Sequence, residues 1–291
     1  DITIFIGTMS SGQGHQTAYA QIASQLFGID IEKVYVIQGD TDLIATGHGT
    51  GGSWSIPVGG AAITNASAAV IKKGKEIAAH LLEVSTVDIE FLNSNFTVAG
   101  TDRFVTWNEL AEAAHDNNKL PKGASPGLEG HGEFIPSNHT FPNGCHLCEV
   151  EIDTDTGVVE LVRYMVVHDF GTVLNPLLLE GQIHGGVAQG IGQAIFERTY
   201  YDEKGQLHTS SFLDYAIPRA DDVPPIEFVS NPTPCPANPM GFTGCGEAGA
   251  AGPPPAVTNA VVDALREYNV THLDMPLTPE RVWRIINNSA G

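Results

Sequence analysis

Glu247 is the one charged side chain in Gly241-Phe-Thr-Gly-Cys-Gly-Glu-Ala-Gly-Ala-Ala-Gly-Pro-Pro-Pro255. A carboxylate set among glycine and alanine loses hydration, and a poorly hydrated carboxylate is a stronger base. Glu247 is therefore a candidate general base; the competing reading is a glutamate on a flexible surface loop. A second stretch, Thr8-Met-Ser-Ser-Gly-Gln-Gly-His-Gln-Thr17, falls between an expected strand and an expected helix. Gly12 and Gly14 there expose backbone N–H groups at a helix N-terminus, an anion-binding arrangement. The Gln13 amide both donates and accepts, which suits the edge of a heterocycle. The stretch is neither a Walker loop nor a full G-x-G-x-x-G, and an ordinary turn is the alternative. The third stretch, Gly47-His-Gly-Thr-Gly-Gly-Ser-Trp-Ser55, offers hydroxyls at Thr50, Ser53 and Ser55 on glycine-rich backbone that can hold phosphate. Two such loops in one lobe favour a phosphate-bearing heterocyclic ligand over flexible linkers.

No side-chain metal cage is expected: the eleven histidines include no HExxH or other ligand-spaced pair. A Ser-His-Asp hydrolase is unsupported, because no G-x-S-x-G elbow occurs. Cys145-His-Leu-Cys148 opens a run that alternates through Asp153, which predicts a strand with the two cysteines on opposite faces. With no second CxxC to complete a tetrahedral site, buried strand cysteines are the expectation.

The elements that must position these residues follow from periodicity. Ile2–Gly7 reads as a strand, 16–26 as a helix, 34–40 as a strand and 59–82 as a long helix. This repeated strand, glycine turn and helix should collect the glycine turns at one end of a sheet, where such layouts bind ligands. A hairpin over 87–92 and 96–100 and a helix over 107–114 complete a first lobe, 1–114. Residues 115–143 lack periodicity and are rich in Gly, Pro, Asn and His, which predicts a long loop or linker. A second lobe, 144–291, opens with a hairpin, 149–152 and 158–167, around Asp153-Thr-Asp-Thr-Gly157. In the expected helix 178–197 each glycine costs up to ~1 kcal/mol relative to alanine, so something must press closely against it. A second hairpin (198–201, 207–211), a strand over 226–230 and helices over 256–268 and 279–286 follow. The fold class is α+β, two-lobed, with mixed sheets.

At 291 residues the chain can bury a full core as one large domain or two lobes. Its hydrophobic content of 42% reads as soluble and globular, with neither a membrane span nor a signal-peptide pattern. It begins on an apparent strand in progress, which suggests a piece of something longer. Net charge of −20, from 34 acidic against 14 basic residues, makes binding to nucleic acid through a basic footprint unexpected. Four cysteines make no disulfide framework at this size, and they cannot hold two [2Fe–2S] clusters.

Taken together, the motifs resemble the molybdenum hydroxylases, the family of xanthine dehydrogenase, aldehyde oxidoreductase and molybdenum-containing carbon monoxide dehydrogenase. The residues that carry the resemblance are Gly12-Gln-Gly-His-Gln-Thr17, Gly39-Asp-Thr41, Gly49-Thr-Gly-Gly-Ser-Trp-Ser55, Asp169-Phe-Gly-Thr-Val-Leu-Asn-Pro176, Glu180-Gly-Gln-Ile-His-Gly-Gly186 and Gly244-Cys-Gly-Glu-Ala-Gly249. They span essentially the whole chain and match the C-terminal half of the large, molybdenum-binding subunit. The resemblance implies molybdenum with molybdopterin, in its cytosine dinucleotide form, with the metal held by the pterin dithiolene. It places Gly12, Gln13, Gly14, His15, Thr17, Thr50, Gly52, Ser53, Ser55, Asp169, Asn175 and Gln182 on the cofactor. Glu247 becomes the base beside molybdenum. The implied activity is hydroxylation of an aldehyde, an N-heterocycle or CO with water-derived oxygen, electrons leaving to iron–sulfur clusters. Implied partners are the N-terminal half of the large subunit, an iron–sulfur small subunit carrying [2Fe–2S] and a medium subunit carrying FAD, assembled as a cytoplasmic dimer of heterotrimers. Two departures stand out: Thr243 occupies a position where relatives usually have lysine, and Trp54 one where arginine is common. A non-catalytic cofactor-holding scaffold and an unrelated acidic binding module remain the alternative readings.

Overall fold

Alternating apolar residues in Ile2–Phe5 and Val34–Ile37 make two strands, β1 and β2, which pair in parallel with Ile2 opposite Val34. In the computed structural model, which describes residues 1–289, they belong to a first unit formed by Asp1–His139 with Pro236–Met240. Helix α1 (His15–Phe27) buries Tyr19, Ile22 and Ala23 completely and ends at Gly28, whose φ of 64° closes it in the left-handed conformation. Helix α2 (Gly60–Leu82) is preceded by a wider turn of helix over Ser55–Gly59. An antiparallel sheet of β3 (Ile89–Leu92), β4 (Asn95–Val98) and β5 (Phe104–Thr106) leads into α3 (Trp107–Ala114), which a Thr106–Glu109 capping box starts. Strand β5 is not foreseen above, because three residues are too few to show alternation. Gly74 of α2 admits the Phe96 ring, to which a Cβ there would come within 2.6 Å.

Residues 115–139 hold no helix or strand and pack along this unit. Leu120 is buried, Asn65 donates through Nδ2 to the Glu133 carbonyl (2.8 Å), and a Cβ on Gly130 would meet the Ala66 carbonyl of α2 at 2.5 Å. The glycines that read as a linker permit this close approach.

The second unit comprises Thr140–Cys235 and the chain from Gly241 onward. Strands β6 (Asn143–Ile152) and β7 (Val159–Asp169) pair antiparallel with a bulge at Glu149/Val150, and β8 (Ile226–Ser230) joins β7 in parallel. Among the described residues, four helices accompany this mixed sheet: α4 (Pro176–Ile191), α5 (Ala248–Ala251), α6 (Pro253–Ala264) and α7 (Pro279–Ser289). Tyr164 and Val166 from the sheet, Ile183, Val187 and Ile191 from α4, and Val257 and Val261 from α6 form its core.

Two expectations are corrected here. The second hairpin is shorter than expected: Tyr201 bridges Leu207, flanked by His208 N–H donating to the Tyr200 carbonyl (2.9 Å) and Asp202 N–H donating to the Gln206 carbonyl (3.0 Å), while the Asp202 carboxylate accepts from Lys204 and Gln206 N–H and closes the turn. Of the two strand cysteines only Cys148 turns inward, where burial pushes its thiol up to about 11; Cys145 is exposed on the opposite face.

On the inner face of the sheet, His146 Nε2 lies 2.9 Å from His168 Nε2, and His146 Nδ1 lies 2.9 Å from the Tyr164 hydroxyl. Burial, then the neighbouring His168, pushes His146 down to about 4, and burial lowers His168 as well. Both folded values fall below the unfolded value of ~6.5, so the unfolded chain binds more protons in between. This contribution to stability is complete above about pH 6.5 and is lost as pH falls towards 4. The denaturation midpoint is expected to drop from pH 7 to pH 5, and His146→Gln should flatten that slope; equal slopes would refute the assignment.

Candidate functional site

In the first unit the two glycine loops are drawn together by the absence of side chains. Gly7 and Gly47 cross so closely that a Cβ on Gly7 would lie 2.6 Å from the Gly47 Cα, and Gly49 donates its N–H to the Gly7 carbonyl (3.1 Å). Thr50 Oγ1 then donates to the Met9 carbonyl (2.5 Å) and lies 3.0 Å from Ser55 Oγ. Gly12 (φ 104°), Gly14 (φ 79°), Gly52 and Ser53 (both φ 57°) all take the left-handed region, which shapes both bends. Gly14 is the N-cap of α1, and no side chain caps that helix or the helical turn starting at Ser55. Two uncapped helix N-termini behind glycine bends present N–H groups and positive dipole ends.

The sequence-derived residues here divide by what they touch. Gln13 Oε1 accepts from Ser11 N–H, and Gln13 Nε2 donates to the Met9 carbonyl (3.4 Å), so the amide folds back on its own loop. Thr17 is exposed, whereas Ser55 is 8% exposed. His15 is buried, with Nδ1 3.2 Å from Gln38 Oε1, and burial lowers its basicity, so it acts as a neutral imidazole.

Tyr19 and Gln38 were missed by the sequence reading. The Tyr19 hydroxyl donates to the Ser55 carbonyl (2.8 Å), lies 3.2 Å from Thr8 Oγ1, and is pushed up to about 12 by burial. Its one signal in the sequence is the spacing of four from His15, which places both on one helix face. Tyr19→Phe leaves the buried Ser55 carbonyl without this donor and is expected to cost about 1–2 kcal/mol. Proteolysis within 46–55 should speed up alongside; an unchanged unfolding midpoint and cleavage rate would show that the bond does not hold the loop.

In the second unit, Glu247 is the N-cap residue of α5 and makes no side-chain capping bond to it. It is exposed, a correction to the expected desolvation by its neighbours: glycine and alanine carry too few atoms to shield a carboxylate. The loop is anchored at its start, where Thr243 N–H donates to the Phe170 carbonyl (3.0 Å) and Gly171 bridges to Phe242. Past Glu247, α5 crosses α4 on glycine: a Cβ on Gly186 would lie 2.8 Å from the Gly249 Cα, and one on Gly190 would lie 2.8 Å from the Ala250 carbonyl. These are the close approaches that the glycine-dotted helix demanded, whereas Gly181 and Gly185 face open space. Gln182 is half-buried one turn before Gly186 on the same stripe of α4.

Asp169 and Asn175 serve the backbone of this unit. Asp169 Oδ1 accepts from Thr233 N–H (2.9 Å) and Gly171 N–H (2.8 Å), and these bonds, Thr233 first, hold its carboxyl below the usual range. Asn175 is the N-cap of α4 and accepts from Leu178 N–H (3.1 Å), with Pro176 in the first turn. Among the described residues, no group of three or more His, Cys, Asp or Glu could hold a metal ion.

Uncapped helix ends behind glycine bends in the first unit and a carboxylate-bearing glycine loop in the second are the features on which this α+β chain can be compared with known cofactor-binding proteins. The chain belongs to the molybdopterin cofactor-binding domain family, whose sequence profile matches residues 1–224. It is 42% identical over 280 residues to the carbon monoxide dehydrogenase large chain of Hydrogenophaga pseudoflava, covering 96% of this chain and 35% of that one. It is 40% identical over 285 residues to the nicotine 6-hydroxylase large subunit of Paenarthrobacter nicotinovorans, covering 97% of this chain and 35% of that one. Among solved structures, a Cu,Mo-CO dehydrogenase superposes with a TM-score of 0.92 at 38% identity, over 99% of this chain and 36% of that one. Quinoline 2-oxidoreductase from Pseudomonas putida 86 superposes with a TM-score of 0.89 at 38% identity, over 98% of this chain and 36% of that one. The chain spans about a third of the length of the relatives it matches. Membership of this family displaces the reading as an unrelated acidic module.

Proposed function

We propose that this chain is the cofactor-binding, base-carrying portion of a molybdenum hydroxylase large subunit, which hydroxylates an aldehyde, an N-heterocycle or CO. The observation that carries the reading is the pair of uncapped helix N-termini behind joined glycine bends, tied by Thr50 to Met9 and by Tyr19 to Ser55. Backbone N–H groups at such ends fit a pyrophosphate, and a dinucleotide form of molybdopterin, the cytosine form, carries one. When bound, the cofactor supplies the redox metal and the water-derived oxygen.

The residues of this chain then act as follows. The N–H groups at Gly12–Thr17 and Gly52–Ser55 hold the phosphates, with Ser53 and Ser55 hydroxyls alongside, and neutral His15 keeps Gln38 in place behind them. Gln182 orients the reacting end through its amide, and Asp169 and Asn175 hold the turn that leads into α4. The Glu247 carboxylate takes the proton released as oxygen is transferred to an electron-poor carbon. Its shielding from water comes from the bound cofactor and the remaining part of the large subunit, since its own neighbours do not provide it. Electrons leave to [2Fe–2S] and FAD on partner subunits in a cytoplasmic assembly.

The test is metal, pterin and nucleotide analysis of the native complex, followed by dye-coupled oxidation of an aldehyde, quinoline-type heterocycles and CO. Molybdenum with a released cytosine nucleotide and turnover on one substrate class is the expected result. Absence of molybdenum and pterin overturns the reading, and cofactor without turnover on any of the three converts it to a scaffold.

A further inference from the structure

The Glu247 loop stands on a floor of its own, and that floor is the histidine pair. At its far end, Gly252, five residues past Glu247, lies flat on the His146 ring, so that any Cβ would run into Cγ, Cδ2 and Cε1 together. Gly252 has φ −77° and ψ −43°, a conformation alanine adopts without strain, so the ring alone excludes a side chain there. At its near end, Thr243 hangs from the Phe170 carbonyl, and Phe170 stacks on His168 with ring centroids 4.9 Å apart and planes within 6°. Gly144, opposite His168 on β6, leaves the space that the His168 ring fills.

The two rings are joined through Nε2, and the Tyr164 hydroxyl fixes His146 from its other nitrogen. One proton between the two Nε2 atoms satisfies both, which sets the tilt of each ring relative to the other. His168 Nδ1 is buried without a partner, so the bond to His146 alone orients that ring. One rigid three-residue chain thus supports both ends of the segment that carries Glu247.

We propose that His146 and His168 are positioning residues for Glu247: held by Tyr164, they set where the 243–252 segment places its carboxylate. This rests on Glu247 being the base. Neither ring needs to titrate for this. Titratable groups on the elements around them include Tyr164 and Cys148 on the same sheet face, exposed Asp263 on α6, and Glu180 and His184 on α4. Glu149, Glu151 and Glu227 point from the opposite face of the sheet.

The experiment is a double-mutant cycle in the intact cofactor-loaded complex, using Gly252→Ala, His146→Ala and their combination. Gly252→Ala alone is expected to lower kcat by ~10-fold or more with KM and molybdenum content unchanged, since the loop rides up on the ring. In the His146→Ala background the same substitution should cost less than ~2-fold, because the obstacle is gone. Deuterium uptake by the 243–252 peptide, measured in the cofactor-free protein as well, should rise with Gly252→Ala and show the same coupling. Should either variant fail to fold, Tyr164→Phe removes only the hydroxyl that fixes His146 and should lower kcat by ~3-fold with unchanged KM. Additive effects of 146 and 252, or a Tyr164→Phe enzyme with wild-type kcat, overturn the proposal. Full activity of Glu247→Gln would instead bring down the functional reading while leaving the 146–252 coupling in deuterium uptake intact.

Discussion

Glu247→Gln is expected to lower turnover by ~10² or more while cofactor content stays at the wild-type level. The substitution keeps the volume and hydrogen-bonding reach of the side chain and removes its capacity to accept a proton. Loss should therefore appear in kcat, not in KM or in molybdenum analysis. Glu247→Asp retains the carboxylate and withdraws it by one methylene, so an intermediate loss of ~10-fold is expected. Wild-type turnover in the glutamine variant would remove Glu247 from the chemistry.

The second large effect is structural. Gly249→Val is expected to destabilise the second unit by about 3 kcal/mol, because backbone, not a flexible side chain, blocks the added atoms. A Cβ on Gly249 would lie 2.7 Å from the Ile183 carbonyl and 3.1 Å from the Gly186 Cα, and neither can move without unwinding α4. The corresponding fall in Tm is roughly 6–12 °C for a unit of this size. The same wedge would lift α5 off α4 and displace Glu247, so activity should fall below what the remaining folded fraction accounts for. Gly181→Ala, on the same helix but facing open space, should be neutral or stabilising by about 0.5–1 kcal/mol. A thermal melt of the two variants side by side decides the matter: equal midpoints would mean that the α4–α5 crossing is not a tight contact.

The elements with a clear period were legible from residues alone. Helix α3 falls at Trp107–Ala114 and strand β8 at Ile226–Ser230, as the patterns require, and α1 and α2 differ from expectation by a residue or so. Legibility failed where period and length ran out. Strand β5 is too short to alternate, and the expected hairpin around Glu203 pairs only over Tyr200–Asp202 and Gln206–His208, where Asp202 closes the turn. The stretch 115–143 reads as a long loop or linker because it lacks periodicity and is rich in Gly, Pro, Asn and His, and close contact of its glycines against α2 has the same signature in one dimension.

For the site, residue types along the chain single out Glu247 and the two glycine bends as candidates, since these depend on local chemistry and spacing. Contacts that join distant positions belonged to the tertiary structure. Tyr19 reaching Ser55, Thr50 reaching Met9, Gly252 resting on His146, and the exposure of a carboxylate expected to be shielded are all set by which backbones can approach. Spacing within a segment follows from the fixed geometry of helix and strand. Proximity between segments follows from where side chains are missing, and a glycine announces that space is needed without naming what fills it.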